Sequence, residues 1–426
     1  MRISLGNNIA TVPMAKREHR IGTTHAPIIW EVINSCAERI SRNNYKGYDP
    51  ADFLNTSITW LKRLPGPALR LFTLINFYSP INLRGLLRIK KAENATAMVL
   101  WAAIHERLFR LDGDMKHRTE IAFAVQWLLS NAVEINSTLG WARVVDYQSR
   151  SGVTHNRELT LTFINALAGE LFLDLHAAFH EERYLDLADR VCWHLYKHVN
   201  RIETNGGVCL SYTSTGHHEV LNASILAGAL LNRMAEATGN ETYSSLSLSI
   251  LNYTLDRQNE NGSWYYSYNS RGKAKRQMDF HQCYLLDGIQ MYRHVPDQTM
   301  RAARDEAFVK GSRFYIETMF DRQMRPYWRY PVRFPVDVHN VAHGIYFLSK
   351  YCDLFPEYGE RLELLIGQLL DKFYDTDEHY FYYQMYAGLV VHHDFFRWNT
   401  MWSLRALVEY LLSSHNTDQP RREAAL

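Results

Sequence analysis

Two short strings in this 426-residue sequence, Asp279-Phe280-His281 and Asp337-Val338-His339, each set a carboxylate two positions before an imidazole, and they lie 58 residues apart. Paired carboxylates are the equipment of glycosidic-bond hydrolysis, where one protonates the leaving oxygen and the other attacks the sugar or activates water. Histidines with Tyr and Arg nearby suit instead a lyase or an epimerase, which removes the proton beside a uronate carboxylate and must steady the resulting anion. Positions i and i+2 of a helix point to different faces, so the Asp and His of one string need not pair locally; acids and histidines of neighbouring elements can meet instead. The expectation is that Asp279 and Asp337 act as general acid and as base or nucleophile, with His281 and His339 orienting substrate. A carboxyl that stays protonated near neutral pH needs a dry wall, which Trp264, Tyr265 and Trp328 would supply.

Other residues join the candidate site. Arg397 with Trp398, and Asp146 with Arg150, would add charged and stacking groups, Glu219 a further acid, and Tyr265, Tyr266, Trp328 and Tyr383 rings for sugars. Each has a plain structural alternative: aromatics seal hairpins, and acids ahead of helices satisfy free N–H groups, worth about 0.5–2 kcal/mol each. For Glu93 and Glu158 capping is the expectation. His217-His218-Glu219 and His392-His393-Asp394 resemble metal ligands, but adjacent histidines point apart and no His-x-x-x-His or Cys partner accompanies them, so no metal is expected. A Gly-rich phosphate loop, a Gly-x-Ser-x-Gly elbow and a dinucleotide fingerprint are all missing, and no cofactor is expected.

The elements that must hold these residues emerge from a repeat. Helix-like segments begin at Glu93, Glu158, Glu219, Asp279, Asp337 and Asp394, with separations of 65, 61, 60, 58 and 57 residues. A fixed period of this length means supersecondary units that bury their apolar faces only against their neighbours. Each segment is small and apolar all round, as in "EVLNASILAGALLNRM", and is followed by a one-sided stretch such as "RYLDLADRVCWHLYKHV". The first kind reads as an inner helix and the second as an outer one. Six of each make an all-α (α/α)6 toroid. Aromatic linkers ("GWARVVDYQS", "GGVCLSYTS", "GSWYYSYNS", "RPYWRYPVRF", "HYFYYQMYAG") precede the inner helices and should crowd one mouth. Residues 49–412 are assigned to the toroid, 1–48 to a partly ordered extension and 413–426 to a disordered tail.

The stretch Gln258-x-x-x-Gly262-x-Trp264 matches the repeat of triterpene cyclases once, but their Asp-x-Asp-Asp motif is absent. It reads as a hairpin device: Gln258 ends an outer helix, Gly262 allows a positive φ, and Trp264 packs back over the helix end.

Lys plus Arg (47) and Asp plus Glu (45) nearly balance, which gives no footprint for nucleic acid. Residues 1–91 hold 14 Lys/Arg against 5 Asp/Glu. That excess would allow weak contact with a membrane surface, although a solvated basic face accounts for it as well. Five scattered cysteines suggest neither a disulfide framework nor a zinc site. Without a signal-peptide-like start or a run of about 18 apolar residues, no transmembrane segment and a cytoplasmic location are expected.

"INLRGLLRIKKAENATAMVL", "DYQSRSG", "NGSWYY…DFHQCYLLDGI" and "YFYYQMY…FFRWNTMWSLRALVEYL" resemble prokaryotic α,α-toroid proteins of surface-polysaccharide gene clusters, whose repeats are similar to six-hairpin glycosidases. The resemblance spans about Asn82 to Leu412 and implies a toroid that meets an oligosaccharide or polysaccharide; it brings no reaction with it. Where the group leads one to expect an Asp-Asn-Phe-His-like stretch, this chain has Met278-Asp279-Phe280-His281, so a carboxylate at the first position is taken over by Asp279 or lost. Two classes follow: a carbohydrate-active enzyme, most simply a glycoside hydrolase with a lyase or epimerase as alternative, or a non-catalytic toroid that binds a glycan or an assembly partner.

Overall fold

The computed structural model describes residues 25–143, 146–148, 154–155, 157–269 and 271–418. Helix α1 (Ala26–Arg42) is followed by the short α2 (Thr59–Lys62) and by α3 (Gly66–Tyr78). The chain then alternates between α4 (Ala95–Asp112), α5 (Lys116–Ser130), α6 (Thr162–Phe179), α7 (Glu182–His198), α8 (Leu221–Thr238), α9 (Glu241–Asp256), α10 (His281–Gln290), α11 (Gln298–Thr318), α12 (Val338–Lys350), α13 (Gly359–Gln368) and α14 (Trp402–Asp418). Among these, α4, α6, α8, α10, α12 and α14 pack each on the next, and α14 packs back on α4, which closes an inner ring. This is the (α/α)6 toroid of the six-hairpin glycosidase-like fold. The inner helices are buried on nearly every side, as their small and apolar residues require; α8 buries Leu221 through Asn232 without a break.

The ring starts earlier than residue 49. Helix α1 carries an apolar stripe, Ile29, Val32, Ile33, Cys36 and Ile40, buried in the same core as the inner helices. It is the sixth outer helix. His25 at its start lies 3.6 Å from Glu363 of α13, and Tyr45 just beyond its end donates to Glu120 of α5 at 2.9 Å. With α1 as an outer helix packed beside α14, the last inner helix among the described residues, residues 26–48 are part of the toroid rather than an extension. At the other end α14 continues to Asp418, past the expected limit at residue 412.

The linkers form short antiparallel strand pairs at the N-terminal end of the inner helices, such as Glu219–Val220 on Ser267–Tyr268 and Val336–Asp337 on Gln384–Tyr386. At the opposite end the inner helices are tied by partly buried ion pairs: Arg107 of α4 reaches Glu409 of α14 at 3.3 Å and Asp174 of α6 at 3.4 Å, and Arg233 of α8 also holds Asp174 at 3.0 Å. One end of the ring is thereby closed, and the linker end is the mouth.

Candidate functional site

What fixes the mouth is a polar residue in the first turn of four inner helices and, for the fifth, in the turn that leads into α14. Asn165 Oδ1 accepts from the Trp141 N–H at 2.7 Å, and Ser224 Oγ accepts from Leu210 N–H at 2.9 Å. Gln282 brackets Trp264, accepting from its N–H at 2.9 Å and donating to its carbonyl at 2.7 Å. Asn340 donates to the Trp328 carbonyl at 3.4 Å, and Asn399 to the Phe381 carbonyl at 2.8 Å. These residues stand 59, 58, 58 and 59 apart. Their spacing is more regular than that of the acids, and they were the signal that the acid-based register overlooked. Each satisfies linker backbone that would otherwise be buried without a partner.

The six acids, by contrast, share no single role. Helix α4 is capped by Asn94, whose side chain accepts from Ala97 N–H; Glu93 reaches Lys46 at 3.7 Å instead. Glu158 is exposed and precedes α6 by four residues. Glu219 is buried in a strand, and its carboxylate accepts from the Tyr253 hydroxyl of outer helix α9, so it points to the outer layer and not to a sugar in the mouth. Asp394 pairs with Arg39 of α1 at 2.8 Å. Of the six, Asp337 alone is the N-cap of its helix.

Asp279 and His281 do pair locally, contrary to the expectation from helical spacing. Helix α10 begins only at His281, so Asp279 sits in the bend before it, and its Oδ1 meets both the His281 N–H, at 3.2 Å, and the His281 Nδ1. Its other oxygen accepts from Gln277 Nε2 at 2.5 Å. Burial pushes the Asp279 carboxyl up, but the His281 charge and these hydrogen bonds outweigh it and hold it below the usual carboxylate range. Met278, where the resemblance leads one to expect an acid, packs half-buried against the core.

His281 faces the barrel axis. One turn along, Tyr284 places its ring 5.1 Å from Phe163 of α6 and 5.4 Å from Trp402 of α14, neither of which neighbours α10 in the ring. Tyr284, His343 and Trp402 thus form an aromatic floor, and His281 lies above it with 16% of its side chain exposed, against 4% for Asp279. Tyr266 packs against the His281 ring at 4.5 Å.

On the neighbouring helix Asp337 accepts three hydrogen bonds, from His339 N–H at 3.0 Å, Gln384 Nε2 at 2.7 Å and Trp398 Nε1 at 3.1 Å. His339 bonds the Trp398 carbonyl through Nδ1 at 3.1 Å, packs on Trp398 and stacks on His343. Burial, reinforced by His343, holds its pKa well below that of a free imidazole, so it is neutral. Arg397 and Trp398 lie in a π-helical turn, Phe396–Met401, that leads into α14; such turns re-aim side chains from a helix end. Arg397 donates to Asp49 at 2.8 Å, and Arg143 lies 3.8 Å from the other oxygen of that carboxylate. Burial raises Asp49, but the two guanidiniums more than offset it and leave it at about 2.

The aromatic candidates divide. Trp264 is fully buried, its indole donating to the Thr254 carbonyl at 2.9 Å, and Tyr383 is buried against Phe77 and Phe395; neither ring is available to a sugar. Both face the core because the linkers are sealed there. Tyr265 and Trp328 are half-buried beneath Arg276 and Arg329. Asp146 is exposed, and Arg150 lies outside the described residues. Among the described residues no three His, Cys, Asp or Glu side chains converge as a metal set.

No family model matches the sequence, and no curated protein matches it. Solved structures do. The chain is similar to cellobiose 2-epimerase from Spirochaeta thermophila DSM 6192, with a TM-score of 0.56 at 12% identity over 77% of this chain and 87% of that one. It is similar to a GH76 α-mannanase from Bacteroides thetaiotaomicron, with a TM-score of 0.57 at 8% identity over 85% and 99%. It is also similar to an unsaturated glucuronyl hydrolase from Streptococcus agalactiae, with a TM-score of 0.57 at 12% identity over 90% and 91%. At such identities the likeness is one of fold, and what these proteins have in common with this chain is the six-hairpin toroid.

Proposed function

We propose that the protein is a carbohydrate-active enzyme of polysaccharide metabolism, working in the cytoplasm, whose chemistry is proton transfer by His281 in the manner of an epimerase or lyase. The observation that carries this reading is the Asp279–His281 pair: a buried carboxylate spends one oxygen on Nδ1 of an imidazole that reaches the axis. A carboxylate so placed fixes ring orientation and tautomer and leaves Nε2 to exchange a proton with substrate. Paired-carboxylate hydrolysis is less well supported. A general acid must hold its proton near neutral pH, yet Asp279 is driven the other way, and Asp337 spends both oxygens on three donors. Toroids of similar fold include a D-mannose isomerase and a sugar epimerase from a ruminal bacterium, so the scaffold accommodates such chemistry.

The test is incubation in D2O with reducing sugars and uronate-containing fragments. Three readouts are followed: deuterium gained beside the carbonyl or carboxylate, absorbance of unsaturated uronates, and new reducing ends. Exchange or elimination should appear and fall roughly 100- to 10,000-fold in His281→Ala, with Asp279→Asn lowering kcat more than it changes KM. New reducing ends that survive His281→Ala and vanish in Asp337→Asn would establish the hydrolase instead. Saturable glycan binding with no turnover would establish the binding toroid.

A further inference from the structure

Between α1 and the toroid's first inner helix, residues 53–92 build a small appendage with its own core, Phe53, Leu61 and Ile89 backed by Leu69, Phe72 and Leu87. Helix α3 turns Thr73, Asn76 and Phe77 inward. Its opposite face should be polar, and it is not: Leu71, Ile75 and Tyr78, spaced i, i+4 and i+7, are all exposed. Around them stand Trp60, Ile81 and Leu86, exposed by 62%, 70% and 78%. A helix apolar on both faces has a second surface to cover, and a cluster of this kind marks an interaction site.

The charges say what covers it. Residues 53–92 contain seven Lys/Arg and no Asp or Glu. Arg84 is buried against Asp52 at 2.9 Å; the other six, Lys62, Arg63, Arg70, Arg88, Lys90 and Lys91, are exposed. We propose that this face, α2, α3 and the turn after it, docks the protein on an anionic lipid surface. Apolar side chains flanked by Lys and Arg, with a Trp and a Tyr among them, match the interfacial layer of a bilayer, where rings and aliphatic groups enter the acyl boundary and cations meet lipid phosphates. A second copy of the chain fits worse, because a two-fold contact through this face would set cations against cations. The contact is peripheral: no helix among the described residues is long and apolar enough to cross a membrane.

The appendage also walls the mouth. Asn55 and Lys90 of the appendage line one cleft with Asp49, with Asn94 at the cap of α4 and with Arg397. Docking therefore holds the mouth close to the bilayer, and, resting on the function proposed above, the substrate class becomes glycans carried on a membrane lipid.

The experiment is sedimentation of the full chain with vesicles of phosphatidylcholine alone or of phosphatidylcholine and phosphatidylglycerol at three to one, which reads binding without any turnover. Binding to the anionic vesicles is expected, at least tenfold weaker in a Trp60→Ser/Ile81→Ser/Leu86→Ser variant and in a Lys62→Glu/Arg63→Glu variant, and reduced by 0.5 M salt. Circular dichroism melts confirm that both variants fold. Equal binding by the folded variants, no binding by the parent chain, or a dimer in light scattering that the triple serine variant dissolves would each overturn the proposal.

Discussion

The indole of Trp398 donates its Nε1–H to Asp337 Oδ1 at 3.1 Å, and its ring lies against His339, whose own N–H caps onto the same oxygen. Asp337 thereby joins the start of α12 to the π turn ahead of α14. A carboxylate with three donors is a structural joint before it is a reagent. Removing its charge should cost stability: a cap contributes about 0.5–2 kcal/mol and a hydrogen bond to a charged group about 1.5–3 kcal/mol. Asp337→Asn is expected to lower unfolding free energy by about 1–3 kcal/mol in urea titration, and Trp398→Phe by less. An Asp337→Asn protein as stable as the parent would return Asp337 to the list of dedicated catalytic groups.

The Gln258-x-x-x-Gly262-x-Trp264 motif is a hairpin lock with nothing to say about lipids. Gln258 Nε2 donates to the Gly262 carbonyl at 3.0 Å and to the Ala307 carbonyl of α11 at 2.9 Å. Gly262 has φ +90°, and a Cβ there would stand 2.5 Å from the Lys310 carbonyl oxygen. Gly262→Ala should therefore cost about 1–3 kcal/mol, since backbone strain and a fixed backbone atom both oppose it. Gly272→Ala is the comparison, with positive φ but open space around its Cβ, and it should cost less. Equal losses in thermal melts would show that the close approach to α11 contributes nothing.

The toroid was legible because burial on all sides and burial on one side leave different residue patterns, and six repetitions of that contrast admit few arrangements. Closure by α1 was not, although its stripe is as regular as any outer helix, because α1 follows none of the acids that mark the repeat. The acids misled for a physical reason: any polar residue can satisfy a helix start, so Asn94 replaces Glu93 and Asp394 turns to Arg39. The residues held at constant spacing are those bonded to linker backbone, where geometry leaves no substitute. The Asp279–His281 contact depended on where α10 begins, a matter of one turn that sequence periodicity does not resolve.

Asn94→Ala should accordingly destabilise the protein by about 1 kcal/mol, the usual worth of an N-cap, while Glu93→Gln, which loses only a half-exposed contact to Lys46, should change it by less than about 0.5 kcal/mol. Denaturant midpoints of the two variants decide the matter. The reverse order would mean that Glu93 acts on the helix dipole more strongly than Asn94 acts on its backbone.

Acid should weaken the fold through its buried histidines well before a low-held carboxylate such as Asp279 protonates. Burial depresses His343 and His105 to about 3, His194 and His393 to about 4, and His339 well below 6.5. Each is neutral when folded and takes a proton near pH 6.5 when unfolded. The stability it lends is therefore present above about pH 6.5 and drains as pH falls toward the folded value, by about 1.4 kcal/mol per pH unit for each group. Glu170, pushed up to about 7 by burial, runs the other way, being more stable protonated, and burial raises Asp52, Glu106 and Glu363 as well, four carboxyls against the five histidines. Asp279, held low, keeps its contribution until the pH drops below the ordinary carboxylate range. Unfolding free energy should thus fall between pH 7.5 and 5.5. His343 is the cleanest probe, because its Nε2 is buried with no hydrogen-bond partner. His343→Gln should reduce the fall by about 1 kcal/mol, measured as the difference between urea titrations at the two pH values, and an unchanged slope would mean that His343 is already protonated in the folded protein.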